Sequence, residues 1–300
     1  MTDSPDKQTL SFLLRRFKAA GVRPRTHLGQ NFLIDLNLQR VLLETAALGP
    51  DDVVLEVGTG SGGLTALLAQ QAAAVVTVEI DRDLFQLADE ELFRFQNVVM
   101  LQGDALKTKN RINPEVLDAV YGQVDAVAGR RFKLVANLPY QIATPLMSNL
   151  LALDRPPESM TCTIQKEVAD RLIAVPGTKD YGSLAIWMQC QCRTEIVRVL
   201  PPSVFWPRPK VSSAFVQVVL DHPRREAIPD LAAFHEFIRA VFSHRRKLLR
   251  GELLGACPTL AKADVDRLLA EQGLDPTARA ERIAPDAMLR LYEAVRAMGV

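Results

Sequence analysis

Val53-Val54-Leu55-Glu56-Val57-Gly58-Thr59-Gly60-Ser61-Gly62-Gly63 is the stretch that decides the fold. A short, mostly aliphatic run ends abruptly in glycines, and Leu64 to Gln71 continues with helical spacing. That pattern is a buried strand, a tight turn and a helix. Glycines let the backbone turn sharply and come close to a ligand, and the helix N-terminus adds a partial positive charge. At this point the turn fits NAD, FAD or S-adenosylmethionine.

The same alternation continues outward. Val75–Glu79, Val98–Leu101, Phe132–Ala136 and Thr161–Ile164 read as strands. Asp81–Phe93 and Thr144–Leu153 read as helices, with Asp81 as N-cap of the former. Strands alternating with helices predict a mostly parallel sheet covered on both faces, an α/β Rossmann-like class I arrangement. Glu195–Leu200 and Ser213–Leu220 flank a Pro-rich connector and predict an antiparallel edge. After Asp221-His222-Pro223 the chain turns helical, with breaks at Pro258, Gly273–Pro276 and Pro285. The expected organisation is an N-terminal basic arm and helices over 1–50, an α/β core over 51–222, and a small all-helical domain over 229–300.

With 300 residues, 48% hydrophobic and 24% charged, the chain suits one large domain and a smaller one. No apolar run approaches the ~20 residues that span a bilayer. Met1 to Lys7 is polar, so a cytoplasmic protein without membrane attachment is expected. Cys162, Cys190, Cys192 and Cys257 show neither a disulfide framework nor zinc spacing, and no metal is expected. Net charge is only +1, but cations crowd the N-terminal arm and the His244-Arg245-Arg246-Lys247 knot. Runs of this kind are commonly solvated faces.

Two acids extend the glycine turn. Glu79 closes the second strand, where an acid reaches ribose hydroxyls, and Asp104 closes the third, within reach of an adenine amine. The fourth strand runs into Asn137-Leu138-Pro139-Tyr140. By itself this tetrapeptide reads equally well as a turn or as a clamp for an exocyclic amine. The Asn side-chain oxygen and a neighbouring backbone carbonyl accept hydrogen bonds, Pro fixes the turn without adding an N–H, and the ring offers a face to an extruded base. A glycine turn with acids after strands two and three is a methyltransferase layout, and that selects the clamp.

With these positions assembled, the chain resembles the ribosomal RNA small-subunit adenine N6,N6-dimethyltransferase family, the KsgA/RsmA type. The resemblance runs from about Thr26 to the C-terminal helices. It includes Leu28-Gly29-Gln30-Asn31-Phe32-Leu33, Gln165-Lys166-Glu167-Val168-Ala169-Asp170-Arg171-Leu172 and Tyr181-Gly182-Ser183-Leu184. Pro201-Pro202-Ser203-Val204-Phe205, Pro209-Lys210-Val211-Ser212-Ser213 and Arg245-Arg246-Lys247 complete it. It implies S-adenosyl-L-methionine as methyl donor, held by Asn31, Leu33, Gly58, Gly60, Glu79, Asp104 and Asn137. The implied substrate is a pair of adjacent adenosines in the 3′-terminal hairpin loop of 16S rRNA, each dimethylated on N6. The implied partner is the immature 30S subunit, late in its assembly, and the enzyme is expected to act as a monomer.

In the expected mechanism the Asn137 oxygen and the Leu138 carbonyl hold N6, Pro139 sets the turn, Tyr140 stacks on the base and Phe205 covers its other face. Arg23, Arg25, Lys210, Arg245, Arg246 and Lys247 are assigned to RNA. Two departures from the family pattern stand out. Thr59 replaces a usual Pro, with loop stiffness the expected consequence. The stretch from Asp104 to Lys133 is long and basic, carrying Lys107, Lys109, Arg111, Arg130 and Arg131, and reads as a surface insertion and a candidate RNA contact. The competing readings are a macrolide-resistance-type methyltransferase acting on large-subunit rRNA and a non-catalytic assembly factor.

Overall fold

The computed structural model describes residues 10–25, 28–244 and 247–299. Seven strands form the main sheet: β1 (Asp52–Val57), β2 (Ala74–Glu79), β3 (Val98–Gln102), β4 (Arg131–Asn137), β5 (Ser159–Gln165), β6 (Cys192–Leu200) and β7 (Ser213–Leu220). Their spatial order is β3-β2-β1-β4-β5-β7-β6. From β3 to β5 all pairings are parallel, and β7 enters antiparallel to β5, from Ser213 opposite Gln165 to Val219 opposite Ser159. β1 and β2 are buried along their whole length, as strands covered on both faces require.

The helices that return the chain between parallel strands carry the expected signals. Asp81 caps Arg82–Leu92, its carboxylate accepting from the Asp83 and Leu84 amides. Between β3 and β4 the stretch expected as a surface insertion holds a short hairpin and a helix, Pro114–Asp125. β3 and β4 run parallel with β2 and β1 between them, so the chain needs a crossover, and this helix supplies it by burying Val116, Val120 and Val124. Asn113 caps it and Pro114 occupies its first turn.

The chain divides into two compact units. The first runs to Ala169 and includes Glu195–Val219. Its core joins Leu38, Leu42 and Leu43 of the helix Leu36–Ala46 to Val54, Val75, Val135 and Phe215 of the sheet. A smaller cluster docks the helix Leu10–Ala20, where Leu13 and Phe17 meet Leu84 and Leu87, with Phe32 and Trp206 packed beside them. The ribbon Phe32–Leu33 pairs antiparallel with Phe205–Trp206.

The second unit comprises Asp170–Thr194 and the chain from Leu220 onward. It therefore takes 170–194, which the sequence had assigned to the α/β core. The helix Ser183–Gln189 explains the difference, because it buries Trp187, which stacks on His235 at 4.2 Å. Tyr181 adds a hydrogen bond from its hydroxyl to the Ile283 carbonyl at 2.7 Å. The helices Leu249–Ala256, Lys262–Glu271 and Pro285–Ala297 break where Pro258, Gly273–Pro276 and Pro285 predict. Among the described residues no helix is long and apolar enough to cross a membrane.

Candidate active site

The sheet order reverses between β1 and β4, and in such sheets ligands bind beyond the carboxyl ends of the strands at that switch. A cavity of about 330 Å³ lies there. Asn31, Leu33, Gly58, Gly60, Glu79, Asp104 and Asn137 all line it, drawn from four strand ends and the N-terminal segment. Gly58 has φ +90°, and a Cβ there would lie 3.4 Å from the Pro139 ring. Gly60 has φ +59°, and its Cβ would press on Phe32 at 3.0 Å. The loop needs glycine at both positions, for backbone conformation and for space.

Glu79 is nearly buried, and its carboxylate accepts from the Gly60 and Asp81 amides, both at 2.9 Å. A carboxylate has about four lone-pair sites, so these bonds orient it and leave sites for a ligand. Burial, reinforced by the charge of Asp81, raises its pKa, while the two amides pull the other way. Asp104 is exposed at the rim and uses Oδ1 to accept from the Leu106 amide.

Behind the glycine loop lies a feature that the sequence reading missed. Glu56 is buried, and its Oε2 accepts from the Thr65 hydroxyl at 2.5 Å and the Thr77 hydroxyl at 2.8 Å. Thr77 has one proton to give, so Thr59 is the donor in the 2.7 Å contact between their hydroxyls. Burial pushes the Glu56 carboxyl up to about 8, against the pull of the two threonines, and the Glu79 charge adds to the rise. Thr59 thus does more than change loop stiffness: its hydroxyl ends a buried relay under the cavity. The available signal was an acid closing the strand just before the glycines. Gln30 and Gln39 also line the cavity, and Gln39 donates to the Leu33 carbonyl at 2.8 Å. So does Ile80, an apolar side chain left 49% exposed beside Glu79.

The tetrapeptide after β4 leans on this loop. Asn137 donates its side-chain amide to the Asn31 carbonyl at 2.8 Å, which fixes the amide and leaves its oxygen as the acceptor. The Leu138 amide bonds the Thr163 carbonyl at 3.1 Å, while the Leu138 carbonyl receives no hydrogen bond among the described residues. The Leu138 side chain is buried. Tyr140 is half-buried and its hydroxyl lies 2.6 Å from Ser213 Oγ. Burial raises the tyrosine pKa, with Ser213 opposing.

Phe205 departs from expectation. It is 2% exposed and packs with Leu33, Leu42, Leu200 and Phe215, opposite Leu33 in the ribbon. Its ring therefore belongs to the core and presents no face to a base. Arg25 is also committed elsewhere, to Asp83 at 2.8 Å and Asp81 at 3.4 Å. Gln30 bridges the same network through the Arg25 amide and Asp81, so Arg25 secures the N-terminal segment. Arg23 and Lys210 are exposed. Lys247 lines a separate cavity of about 390 Å³ in the second unit, with Arg171, His244 and Glu252. Arg245 and Arg246 lie outside the described residues. The four cysteines are buried, and burial raises the pKa of each.

The sequence matches the family described as Ribosomal RNA adenine dimethylase over residues 21–296. A protein named Ribosomal RNA small subunit methyltransferase A from Caldanaerobacter subterraneus subsp. tengcongensis is 40% identical over 270 residues, 89% of this chain and 95% of that one. One of the same name from Lactiplantibacillus plantarum is 40% identical over 279 residues, 92% of this chain and 91% of that one. Among solved structures, a dimethyladenosine transferase from Plasmodium falciparum has a TM-score of 0.70 at 22% identity, covering 89% of this chain and 98% of that one. The 23S rRNA methyltransferase ErmE has a TM-score of 0.61 at 25% identity, covering 88% and 99%. The fold is common to both.

Proposed function

The chain belongs to the ribosomal RNA adenine dimethylase family, and from that premise we infer that it is an S-adenosylmethionine-dependent enzyme dimethylating N6 of two adjacent adenosines in the 3′-terminal hairpin loop of 16S rRNA. The convergence of the seven donor-side positions on one cavity, with Asn137 shared by both sides, carries this reading. Relatives at 40% identity are named for the small subunit, which favours it over a large-subunit substrate.

The residues present fit the cofactor. The glycine loop makes a cradle that a Cβ would fill, the cavity is of nucleoside size, and Glu79 keeps lone pairs for ribose hydroxyls. When bound, S-adenosylmethionine supplies a methyl group activated by its sulfonium. Adenine N6 is a poor nucleophile, because its lone pair is delocalised into the ring. In this reading Asn137 Oδ1 and the Leu138 carbonyl accept its two N–H bonds and favour a pyramidal nitrogen, while Tyr140 offers the stacking face. Positioning and electrostatics carry the rate, with no dedicated base. The nitrogen becomes cationic on methylation and loses its proton to water. In the second round one N–H remains, so one of the two acceptors is enough. Phe205 has no part in this scheme.

The same reading makes the immature 30S subunit the partner, the monomer the active form and the cytoplasm the compartment. The test is mass spectrometry of rRNA from unmethylated 30S and 50S particles incubated with enzyme and labelled donor. Two dimethyladenosines near the 16S 3′ end are expected, and label confined to 23S rRNA refutes the substrate. Asn137→Ala is expected to lower the rate by about 100-fold or more, as loss of one preorganised hydrogen bond does at other transition states. Wild-type rates in that variant refute the acceptor assignment.

A further inference from the structure

Three cations in the stretch between β3 and β4 have no part in the scheme so far. Lys107, Lys109 and Arg111 lie on or between the strands of a short hairpin, Leu106–Thr108 with Arg111–Ile112. All three are exposed and make no ion pair among the described residues. Residues 105–114 contain no acid to offset them.

The hairpin is held at both roots and near its tip. Asp104 Oδ1 accepts from the Leu106 amide at 2.9 Å, and Asn113 donates its side-chain amide to the Asp104 carbonyl at 3.1 Å. The Asn113 backbone amide bonds the Ala105 carbonyl at 2.9 Å, and Ile112 is buried beneath. At the tip, Asn149 donates to the Lys109 carbonyl at 3.1 Å. Some of these anchors belong to the active site or stand beside it. Asp104 and Ala105 line the cofactor cavity, and Asn149 stands on the helix Ala143–Leu151 that follows Tyr140. At about 1.5 Å per residue, Asn149 is about 9 Å along that helix from its first residue.

The remaining cations of the same stretch behave differently. Arg131 pairs with Asp52 at 2.9 Å, and Arg130 donates to the Gln123 carbonyl at 2.7 Å. They sit at the start of β4, and the length of that strand, at about 3.3 Å per residue, puts them about 20 Å from Asn137. The stretch thus separates into structural cations at the far end of the sheet and unpaired ones on a hairpin rooted at Asp104 and Ala105 of the cavity. Three like charges pinned together outnumber the flanking Asp104 and Glu115 and create a local positive potential suited to a polyanion.

We propose that the hairpin Leu106–Ile112 grips RNA phosphates flanking the adenosine being methylated, through Lys107, Lys109 and Arg111. The assignment rests on the methyltransferase reading above and adds a phosphate contact on the first unit. Because the anchors include both Asp104 and the helix after Tyr140, the hairpin sets the strand's register over the acceptor motif.

The test is Lys107→Ala/Lys109→Ala/Arg111→Ala in the full-length protein, with methylation of unmethylated 30S particles measured across a salt series. We expect KM for the particle to rise by about tenfold or more and the slope of log affinity against log salt to fall by about 2, three contacts at ~0.7 each. We also expect kcat within about twofold, unchanged cofactor affinity by calorimetry, and recovery of KM in Lys107→Arg/Lys109→Arg with Arg111 kept, because phosphate contacts position the strand and leave the chemistry to other groups. Arg130→Ala, from the far end of the stretch, should leave KM unchanged. An unaltered KM and salt slope in the triple variant overturns the proposal, as does a loss confined to kcat. If the wild-type enzyme methylates no 30S rRNA, the functional reading fails instead, so the two failures are distinguishable.

Discussion

Glu56→Gln tests the buried relay under the glycine loop through stability. Burial holds the Glu56 carboxyl at about 8, against an ordinary value of 4.5. Between those values the folded protein binds a proton at this site that the unfolded chain has lost. Stability therefore falls as pH rises from about 4.5, and the loss levels off above about 8. With those two values, this carboxyl alone lowers stability by about 2–3 kcal/mol between about pH 5.5 and about pH 7.5. For a unit of this size that is about 5–10 °C in Tm. Glutamine keeps an oxygen for the Thr65 and Thr77 hydroxyls and has no proton to lose in this range. The assay is a thermal melt of wild type and Glu56→Gln at both pH values, which cancels the titrating groups that do not interact with Glu56. We expect the wild type to lose the additional 5–10 °C, roughly. Parallel loss in the two proteins refutes the reasoning.

Gly58→Ala places a Cβ where φ is +90° and the Pro139 ring is 3.4 Å away. Strain of about 1–3 kcal/mol should weaken cofactor binding, measured by calorimetry, and also lower kcat, because the acceptor turn is displaced with the loop. Tyr140→Phe removes the 2.6 Å contact with Ser213. The net loss is about 1 kcal/mol, and we expect a lower kcat with unchanged cofactor affinity, reproduced by Ser213→Ala in the same assay.

Much of the site was legible because it follows strand ends. A strand that stops in glycine, an acid or Asn-Leu-Pro-Tyr announces its own terminus, and parallel order brings such termini to one edge. What stayed hidden depends on pairings across long stretches of chain. Phe205 enters the core because a two-residue ribbon sets it against Leu33, and nothing in its own neighbourhood signals that pairing. Arg25 looked available because Asp81 and Asp83, which hold it, lie on a helix far along the chain. Residues 170–194 fall between two strands of one sheet, so sequence order assigns them to the sheet, whereas Trp187 packs with helices from the other end of the chain. The helix Pro114–Asp125 is another case, since its cap, its leading proline and its Val116, Val120, Val124 spacing were all in view. The cations around it drew attention to the surface instead.

The bond from the Asn137 amide to the Asn31 carbonyl has a bearing on chemical ageing. Deamidation would turn the donor nitrogen into an oxygen and set two acceptors face to face at a hydrogen-bond distance. The resulting carboxylate would turn away from Asn31, and its free lone pairs would no longer be aimed at the acceptor position. A change of one atom and one charge, invisible in fold and almost invisible in mass, would leave a protein that still assembles its cavity but has lost its aim. In the proposed mechanism the amide is therefore both the acceptor for N6 and a part of the site with a shelf life.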